Sequence, residues 1–277
     1  GSEDGGLGQA GTAQSSIPNP ESRFLIPDFQ VPSSLFISDL HLSPDTPAAN
    51  QALLRFLDSQ ARDALSLYVL GDLFEYWIGD DSLDDVFGPR ICAAFARLAS
   101  RGVKLFFMRG NRDFMIGARF ARESIMTLLD DPCLIDLHGM PTLLMHGDTL
   151  CTDDRDYQKF RATVREASWQ KEFLAKSRPE RARIAQQARQ HSELAKQTKQ
   201  MAIMDVNLAA VEAVLRQHGY PRIIHGHTHR PARHLHVVDG KHCERFVLAD
   251  WYSQGSYLLC DERSCRALPV DSSDFRQ

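Results

Sequence analysis

The sequence contains the histidine-rich stretch His225-Gly226-His227-Thr228-His229-Arg230-Pro231. Three of its histidines alternate within five residues, directly after the apolar run Ile223-Ile224. On an extended chain, residues two apart point to the same face, so neighbouring imidazoles can meet at one divalent metal ion. A turn in which each histidine makes one structural hydrogen bond is the alternative. This stretch alone does not separate the two interpretations.

The composition is typical of a soluble globular protein. The 277 residues are 43% hydrophobic and 25% charged, enough to bury a substantial core. The formal net charge of −4 argues against a generally basic nucleic-acid binder. We see no membrane-spanning apolar run and no secretory signal. The scattered cysteines, without a C-x-x-C pair, predict six free thiols that pack as small apolar side chains: Cys92, Cys133, Cys151, Cys243, Cys260 and Cys265.

Five short apolar runs each lead into Gly, Asp, Asn or His residues. They lie at 35–37, 67–70, 105–108, 143–145 and 223–224, and such runs predict buried strands. Helical patterns between the first three predict βαβ units and a largely parallel sheet. Because ligands gather beyond the carboxyl ends of parallel strands, the polar residues that follow these runs are predicted to share one site.

The chain also divides by composition. Residues 1–32 are predicted to be a disordered extension, residues 33–152 and 203–270 two parts of one core, and residues 271–277 a flexible tail. Residues 153–202 are predicted to form a basic helical lid, because positions 155–199 hold twelve Lys or Arg and five Asp or Glu. A solvated helical face is the alternative. Later extended segments at 235–238, 245–248, 256–259 and 267–270 predict antiparallel hairpins of a second sheet.

The polar residues after the runs offer more donors than one four-coordinate zinc ion can use. Two adjacent metal ions that share a carboxylate could use them all, and Asp72 is the natural bridge because it lies between the two halves of the set. Two divalent ions and two aspartates leave a net charge of about +2, which suits a phosphodiester or a diphosphate. The donors are Asp39, His41, Asp72, Asn111, His146, His227 and His229.

Five motifs resemble those of the calcineurin-like metallophosphoesterases, in the same order and over about residues 34–250. They are Asp39-Leu40-His41, Gly71-Asp72, Gly110-Asn111, His146-Gly147-Asp148 and Gly226-His227-Thr228-His229. The resemblance implies an α/β fold, a β-sandwich flanked by helices with a helical lid insertion. It also implies one metal ion on Asp39, His41, Asp72 and His229, and a second on Asp72, Asn111, His146 and His227. His225 is then left in a structural or supporting role.

Two departures from the common family pattern narrow the resemblance. Arg112 follows Gly110-Asn111 where the family usually has a histidine, and Gly71-Asp72 continues as Leu73-Phe74-Glu75. Both features are similar to the UDP-2,3-diacylglucosamine diphosphatase (pyrophosphatase) branch, which works in lipid A biosynthesis. This implies two Mn²⁺ ions and hydrolysis of the diphosphate to UMP and 2,3-diacylglucosamine 1-phosphate. A metal-bridging hydroxide would attack the phosphorus next to uridine.

The same resemblance supplies candidate substrate contacts. Arg112 suits a clamp on phosphate oxygens because its planar guanidinium can bind two of them at once. Catalytic roles are implied for Asp72, Asn111, Arg112 and His227. Substrate contacts are implied for Asn111, Arg112, Asp154, Ser192, Lys199 and His227, and Lys196 shares the helix face of Ser192 and Lys199. Trp169, Phe173 and Leu174 could line an acyl chamber or form the core of a helical hairpin.

The expected setting follows from the implied substrate, a glycolipid nucleotide with a charged diphosphate and two acyl chains. A basic amphipathic insertion can rest on an anionic bilayer, so we expect a peripheral protein on the cytoplasmic side of the bacterial inner membrane. We expect no nucleic-acid partner, and no protein partner is identifiable. Two other functions stay open: a phosphodiesterase or nuclease of the same superfamily, and a non-catalytic scaffold on which the site has decayed.

Overall fold

The computed structural model describes Gly1 and residues 32–198, 205–252 and 255–270, and for residues 191–198 it describes the backbone alone. The predicted N-terminal extension lies outside the described residues except at its two ends, and the predicted tail lies wholly outside them. No described helix combines the length and the apolar character needed to cross a membrane.

Two sheets form the centre of the fold. The first has six strands in the order β11-β10-β1-β2-β3-β4, and the second has five in the order β5-β6-β7-β9-β8. The first contains β1 (Ser34–Ile37), β2 (Ser66–Leu70), β3 (Lys104–Met108), β4 (Thr127–Leu129), β10 (Ser256–Cys260) and β11 (Cys265–Pro269). The second contains β5 (Cys133–Leu137), β6 (Met140–Leu144), β7 (Arg222–His225), β8 (Ala232–Val238) and β9 (Lys241–Val247).

All five predicted runs are strands, but they do not share one sheet. Strands β1 to β4 pair in parallel. After β4 the chain forms the antiparallel pair β5–β6, and β6 then pairs in parallel with β7. Parallel pairing of the first three runs was predicted correctly, but the fourth and fifth runs lie in a second sheet, which begins with the β5–β6 hairpin. The later segments were predicted to form hairpins of the second sheet. This is correct for β8–β9 and wrong for β10–β11, which joins the first sheet beside β1.

Seven described helices flank the sheets. They are α1 (Pro47–Asp58), α2 (Phe87–Ala99), α3 (Ala118–Ser124), α4 (Arg155–Arg165), α5 (Ala167–Leu174), α6 (Arg178–Thr198) and α7 (Leu208–Gln217). Apolar side chains at helical spacing on α1 and α2 are buried against the first sheet, and those on α7 are buried against the second. A third apolar cluster draws Phe36 and Leu70 from the first sheet and Ile224 and Phe246 from the second. The fold is thus a β-sandwich flanked by helices.

The insertion is tied to the core by aromatic side chains. The rings of Trp169 and Phe173 stack with centroids 4.9 Å apart, and both residues pack against the apolar cluster of the first sheet. Phe173 is 5% exposed and Leu174 is 48% exposed. Trp169 and Phe173 therefore belong to the core rather than to an open acyl chamber.

The cysteine prediction needs correction at three positions. Cys260 and Cys265 form a disulfide, because the β10–β11 register places them directly opposite each other with Cα atoms 4.1 Å apart. The spacing of cysteines along the chain could not reveal this register. Cys133 is free but only half-buried, whereas Cys92, Cys151 and Cys243 are free and buried as predicted.

Candidate metal centre and active site

The loops that follow the strands hold five of the seven predicted ligands in left-handed backbone conformations. The φ angles are 57° at Asp39, 49° at His41, 52° at Asp72, 68° at His227 and 53° at His229. Such conformations cost on the order of 1–3 kcal/mol each outside glycine, and they cluster at functional sites. Backbone bonds hold them in place, with Asp39 N donating to Gly71 O at 3.1 Å and His41 N to Asp72 O at 3.0 Å.

Three predicted ligands form one group of converging donors. Asp39, His41 and His229 each offer a ligand atom, and these atoms lie within 4.8 Å of one another. His229 Nε2 is 3.3 Å from Asp39 Oδ1 and 3.4 Å from His41 Nε2. Strands β1 and β7 deliver these residues from opposite sheets, so the group exists only in the folded sandwich.

The other four predicted ligands converge beside them. Asn111 Oδ1 lies 2.9 Å from His146 Nε2 and 2.8 Å from His227 Nδ1. Asp72 faces both groups, since its Oδ1 is 3.8 Å from His146 Nε2 and its Oδ2 is 4.0 Å from His41 Nε2. The structure therefore brings all seven predicted ligands together, and the position of Asp72 agrees with a bridging role. Asp39, Asp72 and His146 also offer atoms within 4.8 Å of one another.

The electrostatics of this cluster fit divalent cations. Burial lowers the pKa of His41 to about 3, and burial together with His146 lowers the pKa of His227 to about 4. Both rings are then neutral and offer a lone pair, the form that binds metal. Burial also lowers the pKa of His146, but Asp72, Asp148 and Asp39 outweigh it and raise the value to about 9.

The buried carboxylates of Asp72 and Asp39 also suit a metal site. Burial, with the negative charge of Asp39 nearby, raises the pKa of Asp72. Asp39 Oδ1 is buried, and within the described part of the chain it accepts no hydrogen bond of good geometry. A buried carboxylate oxygen in that position calls for a cation. Imidazole, carboxylate and amide donors in this number fit two ions of the Mn²⁺ or Zn²⁺ type.

Two glycines allow the loops to approach the carboxylates. A Cβ atom at Gly110 would lie 2.2 Å from Asp72 Oδ1, and one at Gly226 would lie 2.3 Å from Asp39 Oδ2. No side chain fits at either position without moving a predicted ligand. The glycines in the Gly-Asn and Gly-His motifs are therefore explained by close packing against the metal residues.

Asp113 holds two of the loops together, a role that the sequence analysis did not assign. Its side chain is fully buried and accepts backbone N–H groups of Gly110 at 2.8 Å and Leu73 at 2.7 Å. Burial and the charge of Asp72 raise the pKa of Asp113 to about 7. The only signal in the sequence was its place in the run Gly110-Asn111-Arg112-Asp113.

The predicted substrate contacts are only partly within the described structure. Arg112 borders the metal residues: its backbone N donates to Asp72 Oδ1 at 2.8 Å, and its side chain is 13% exposed. Asp154 caps α4 by accepting Tyr157 N at 3.1 Å. Ser192 and Lys196 lie in the last part of α6, residues 191–198, for which only the backbone is described. Lys199 lies outside the described residues.

Tyr252 and His225 lie next to the predicted ligands. The ring of Tyr252 stacks on His41 with centroids 5.0 Å apart and planes 5° from parallel, and no motif pointed to it. His225 is fully buried, and its Nε2 lies 3.0 Å from Arg245 Nη1. Its Nδ1 lies 2.9 Å from Gly226 O, so both ring nitrogens have partners, and His225 joins neither group of converging donors found among the described residues.

Comparison with known proteins identifies the family of this chain. A family model described as calcineurin-like phosphoesterase matches residues 33–231. The chain belongs to this family. This calcineurin-like phosphoesterase is 52% identical over 229 residues to UDP-2,3-diacylglucosamine hydrolase of Aromatoleum aromaticum, a match covering 83% of this chain and 93% of that protein. It is 51% identical over 229 residues to the protein of the same name from Aeromonas salmonicida, covering 82% and 89%.

Solved structures match this calcineurin-like phosphoesterase only at low sequence identity. A structure titled as a novel archaeal phosphodiesterase covers 86% of this chain and 99% of its own, with 12% identity and a TM-score of 0.41. The predicted fold class and the family resemblance are confirmed by the family model and the curated relatives.

Proposed function

We propose that this chain hydrolyses the diphosphate of UDP-2,3-diacylglucosamine in lipid A biosynthesis. The products would be UMP and 2,3-diacylglucosamine 1-phosphate. The observation that carries the proposal is the 52% identity to a protein named UDP-2,3-diacylglucosamine hydrolase, across 93% of that protein's length. The intact set of converging donors supports a working site rather than a decayed one, because each predicted ligand lies close to at least one other.

We propose that the donors divide between two Mn²⁺ ions as the family resemblance implies. Asp39, His41, Asp72 and His229 would hold one ion, and Asp72, Asn111, His146 and His227 the other. Two bound divalent ions would supply an activated water at neutral pH and offset negative charge on the phosphoryl oxygens.

The side chains beside the donors would position the substrate. Arg112 is mostly shielded from solvent, which strengthens its attraction to phosphate oxygens. Its backbone N–H fixes Asp72, so the clamp and the metal ligand move together. His41 and His227 stay neutral because burial lowers the pKa of each, which keeps both available as donors to a metal. Arg112 is thus proposed to orient the diphosphate while the buried donors hold the ions.

We further propose that the chain acts at the cytoplasmic surface of the inner membrane. Exposed apolar and basic side chains occur together on the insertion: Phe160 and Leu174 are 46% and 48% exposed, beside the exposed Lys159 and Lys171. Such a mixture suits the interface of an anionic bilayer. Sedimentation with vesicles tests this: binding to vesicles containing phosphatidylglycerol that weakens in high salt is expected, and equal recovery with and without vesicles would contradict it.

The activity is tested by incubating the protein with Mn²⁺ and UDP-2,3-diacylglucosamine and measuring released UMP by chromatography. We expect UMP and the acylated sugar phosphate in equal amounts. In ¹⁸O-labelled water the label should enter UMP, since attack is proposed at the phosphorus next to uridine. A protein that cleaves DNA or a simple phosphodiester but releases no UMP would contradict the proposed substrate.

A further inference from the structure

Glu75 is a buried carboxylate next to the proposed metal site that the mechanism above does not use. It is 5% exposed and lies in the loop after β2. Its backbone N donates to Leu42 O at 3.0 Å, and Trp77 N, two residues on, donates to Arg112 O at 3.1 Å. These bonds fix Glu75 between the loops that follow β1 and β3, so its side chain starts from a rigid position.

The Glu75 carboxylate meets side chains from three separate parts of the chain. Its Oε2 lies 3.5 Å from His41 Nδ1. Its Oε1 lies 3.7 Å from Arg112 Nη1 and 3.2 Å from Arg189 Nε. One acid therefore contacts a predicted metal ligand, the proposed phosphate clamp and the helix α6 of the insertion.

The contact with Arg189 belongs to a series that docks α6. Arg178 pairs with Asp85, and Arg181 pairs with Asp81. The three arginines are three and eight residues apart, which places them on one face of the helix. Their acidic partners all lie in the segment after β2. Of the three pairs, that of Glu75 is the one that also touches the metal residues.

We propose that Glu75 is a positioning residue that couples the docking of α6 to the metal centre; this rests on the proposed dimetal site. His41 turns Nε2 towards Asp72 and His229, and Nδ1 towards Glu75. A carboxylate at the second nitrogen fixes the orientation of a ligating histidine and makes it a better donor. Arg189 holds the other oxygen of the same carboxylate, so the docked helix fixes the carboxylate that orients His41.

The same geometry links the helix to the substrate. Arg112 and Arg189 share Glu75 Oε1. When phosphate oxygens engage Arg112, Glu75 is left to Arg189 and His41, and α6 is held more firmly. By linkage, a docked α6 must then favour phosphate binding by the same factor.

The test compares Glu75→Gln and Arg189→Ala with Asp81→Asn, which removes a different anchor of α6. Mn²⁺ affinity is measured by calorimetry without substrate, and the mobility of α6 by hydrogen exchange. We expect Glu75→Gln to weaken Mn²⁺ binding about 10- to 100-fold. Arg189→Ala should weaken it about fivefold, with no further loss when added to Glu75→Gln. Asp81→Asn should speed exchange in α6 and weaken Mn²⁺ binding less than Arg189→Ala does, because the Arg189–Glu75 pair stays in place.

Several outcomes would overturn the coupling. If the Glu75→Gln variant binds Mn²⁺ as tightly as the parent, Glu75 does not act on the metal site through His41. Additive losses in the double variant would show that Arg189 does not act through Glu75. If Glu75→Gln does not fold, the Mn²⁺ affinities of Arg189→Ala and Asp81→Asn are compared instead. Arg189 is 47% exposed in the parent, so its replacement by alanine should be tolerated. Equal Mn²⁺ affinities in these two variants would overturn the proposal. A parent chain that binds no Mn²⁺ would overturn the dimetal site as well.

Discussion

At the scale of single residues, the site depends on conformations that its own side chains disfavour. Asp39, His41, Asp72, His227 and His229 all have positive φ, and the surrounding contacts must offset the strain. The buried acceptors and close-packed glycines are those contacts. Because of this strain, residues that bind neither metal nor substrate, such as Asp113, are needed to hold the loops of the site in place.

Replacing Asp113 should destabilise the protein. Asp113→Ala removes the buried acceptor of the Gly110 and Leu73 N–H groups, and we expect the free energy of unfolding to fall by about 3 kcal/mol. Asp113→Asn keeps one acceptor oxygen and should lose less. Urea denaturation measures both, and an alanine variant as stable as the parent would be inconsistent with this role.

Replacing the bridging carboxylate should remove both activity and metal. Asp72 lies between the two donor groups, so Asp72→Asn should lower UMP release by on the order of 100-fold or more. Elemental analysis should show fewer than two Mn²⁺ ions per chain. Asp239→Asn is the matched control, because Asp239 pairs with Arg216 on the surface. Full Mn²⁺ occupancy in Asp72→Asn would disprove the bridge.

At the scale of elements, much of the basic charge of the insertion is used inside the molecule. Arg178, Arg181 and Arg189 dock α6. On α4, Arg161 pairs with Asp148, and Arg165 donates to Gly110 O at 2.8 Å. From the sequence, this insertion could be a basic helical lid or a solvated helical face. The structure adds a third use, attachment of the insertion to the acidic core, which opposite charges favour.

The β10–β11 hairpin gives a prediction about thiols. The disulfide Cys260–Cys265 leaves four free cysteines. We expect four reactive thiols after unfolding without reductant and six after reduction, measured by a colorimetric thiol assay. In the native protein at pH 8, Cys92 and Cys151 should react last, because burial raises the pKa of each to about 12 and leaves almost no thiolate. Six thiols without reductant would refute the pairing.

At the scale of the whole molecule, the centre lies where the loops of the two sheets meet. Asp39, Asp72 and Asn111 come from the loops after β1, β2 and β3, and His146 and His227 from those after β6 and β7. Bound ions would therefore join the two halves of the sandwich. Metal binding and global stability should be linked, because the unfolded chain cannot hold these donors together.

Mn²⁺ should raise the melting temperature, and a chelator should lower it. An ion present at about 100 times its dissociation constant adds about 2.7 kcal/mol of stability per site. Thermal unfolding with Mn²⁺, with Mg²⁺ and with EDTA measures the effect, and Asp72→Asn should respond much less than the parent. A parent whose melting temperature is unchanged by Mn²⁺ would argue against occupied sites in the folded protein.

The short strands β4 and β5 and the helix α3 were not predicted. Most other strands, the helices α1 and α2, the family and the seven candidate ligands could be predicted from the sequence alone. These follow from local hydrophobic periodicity and from motifs whose order along the chain is distinctive, such as the histidines after β7. The sequence also marked Glu75 as part of a motif, but without any role. A motif identifies candidate residues because it depends only on side-chain chemistry and on spacing within one segment of the chain.

How distant segments meet is visible only in the folded protein. The tertiary structure split the five runs between two sheets, paired Cys260 with Cys265, and brought His41, Arg112 and Arg189 to Glu75. Each of these depends on strand register or on contacts between residues far apart in the chain. Hydrophobic periodicity specifies which face of an element is buried, and it leaves open which other element covers that face.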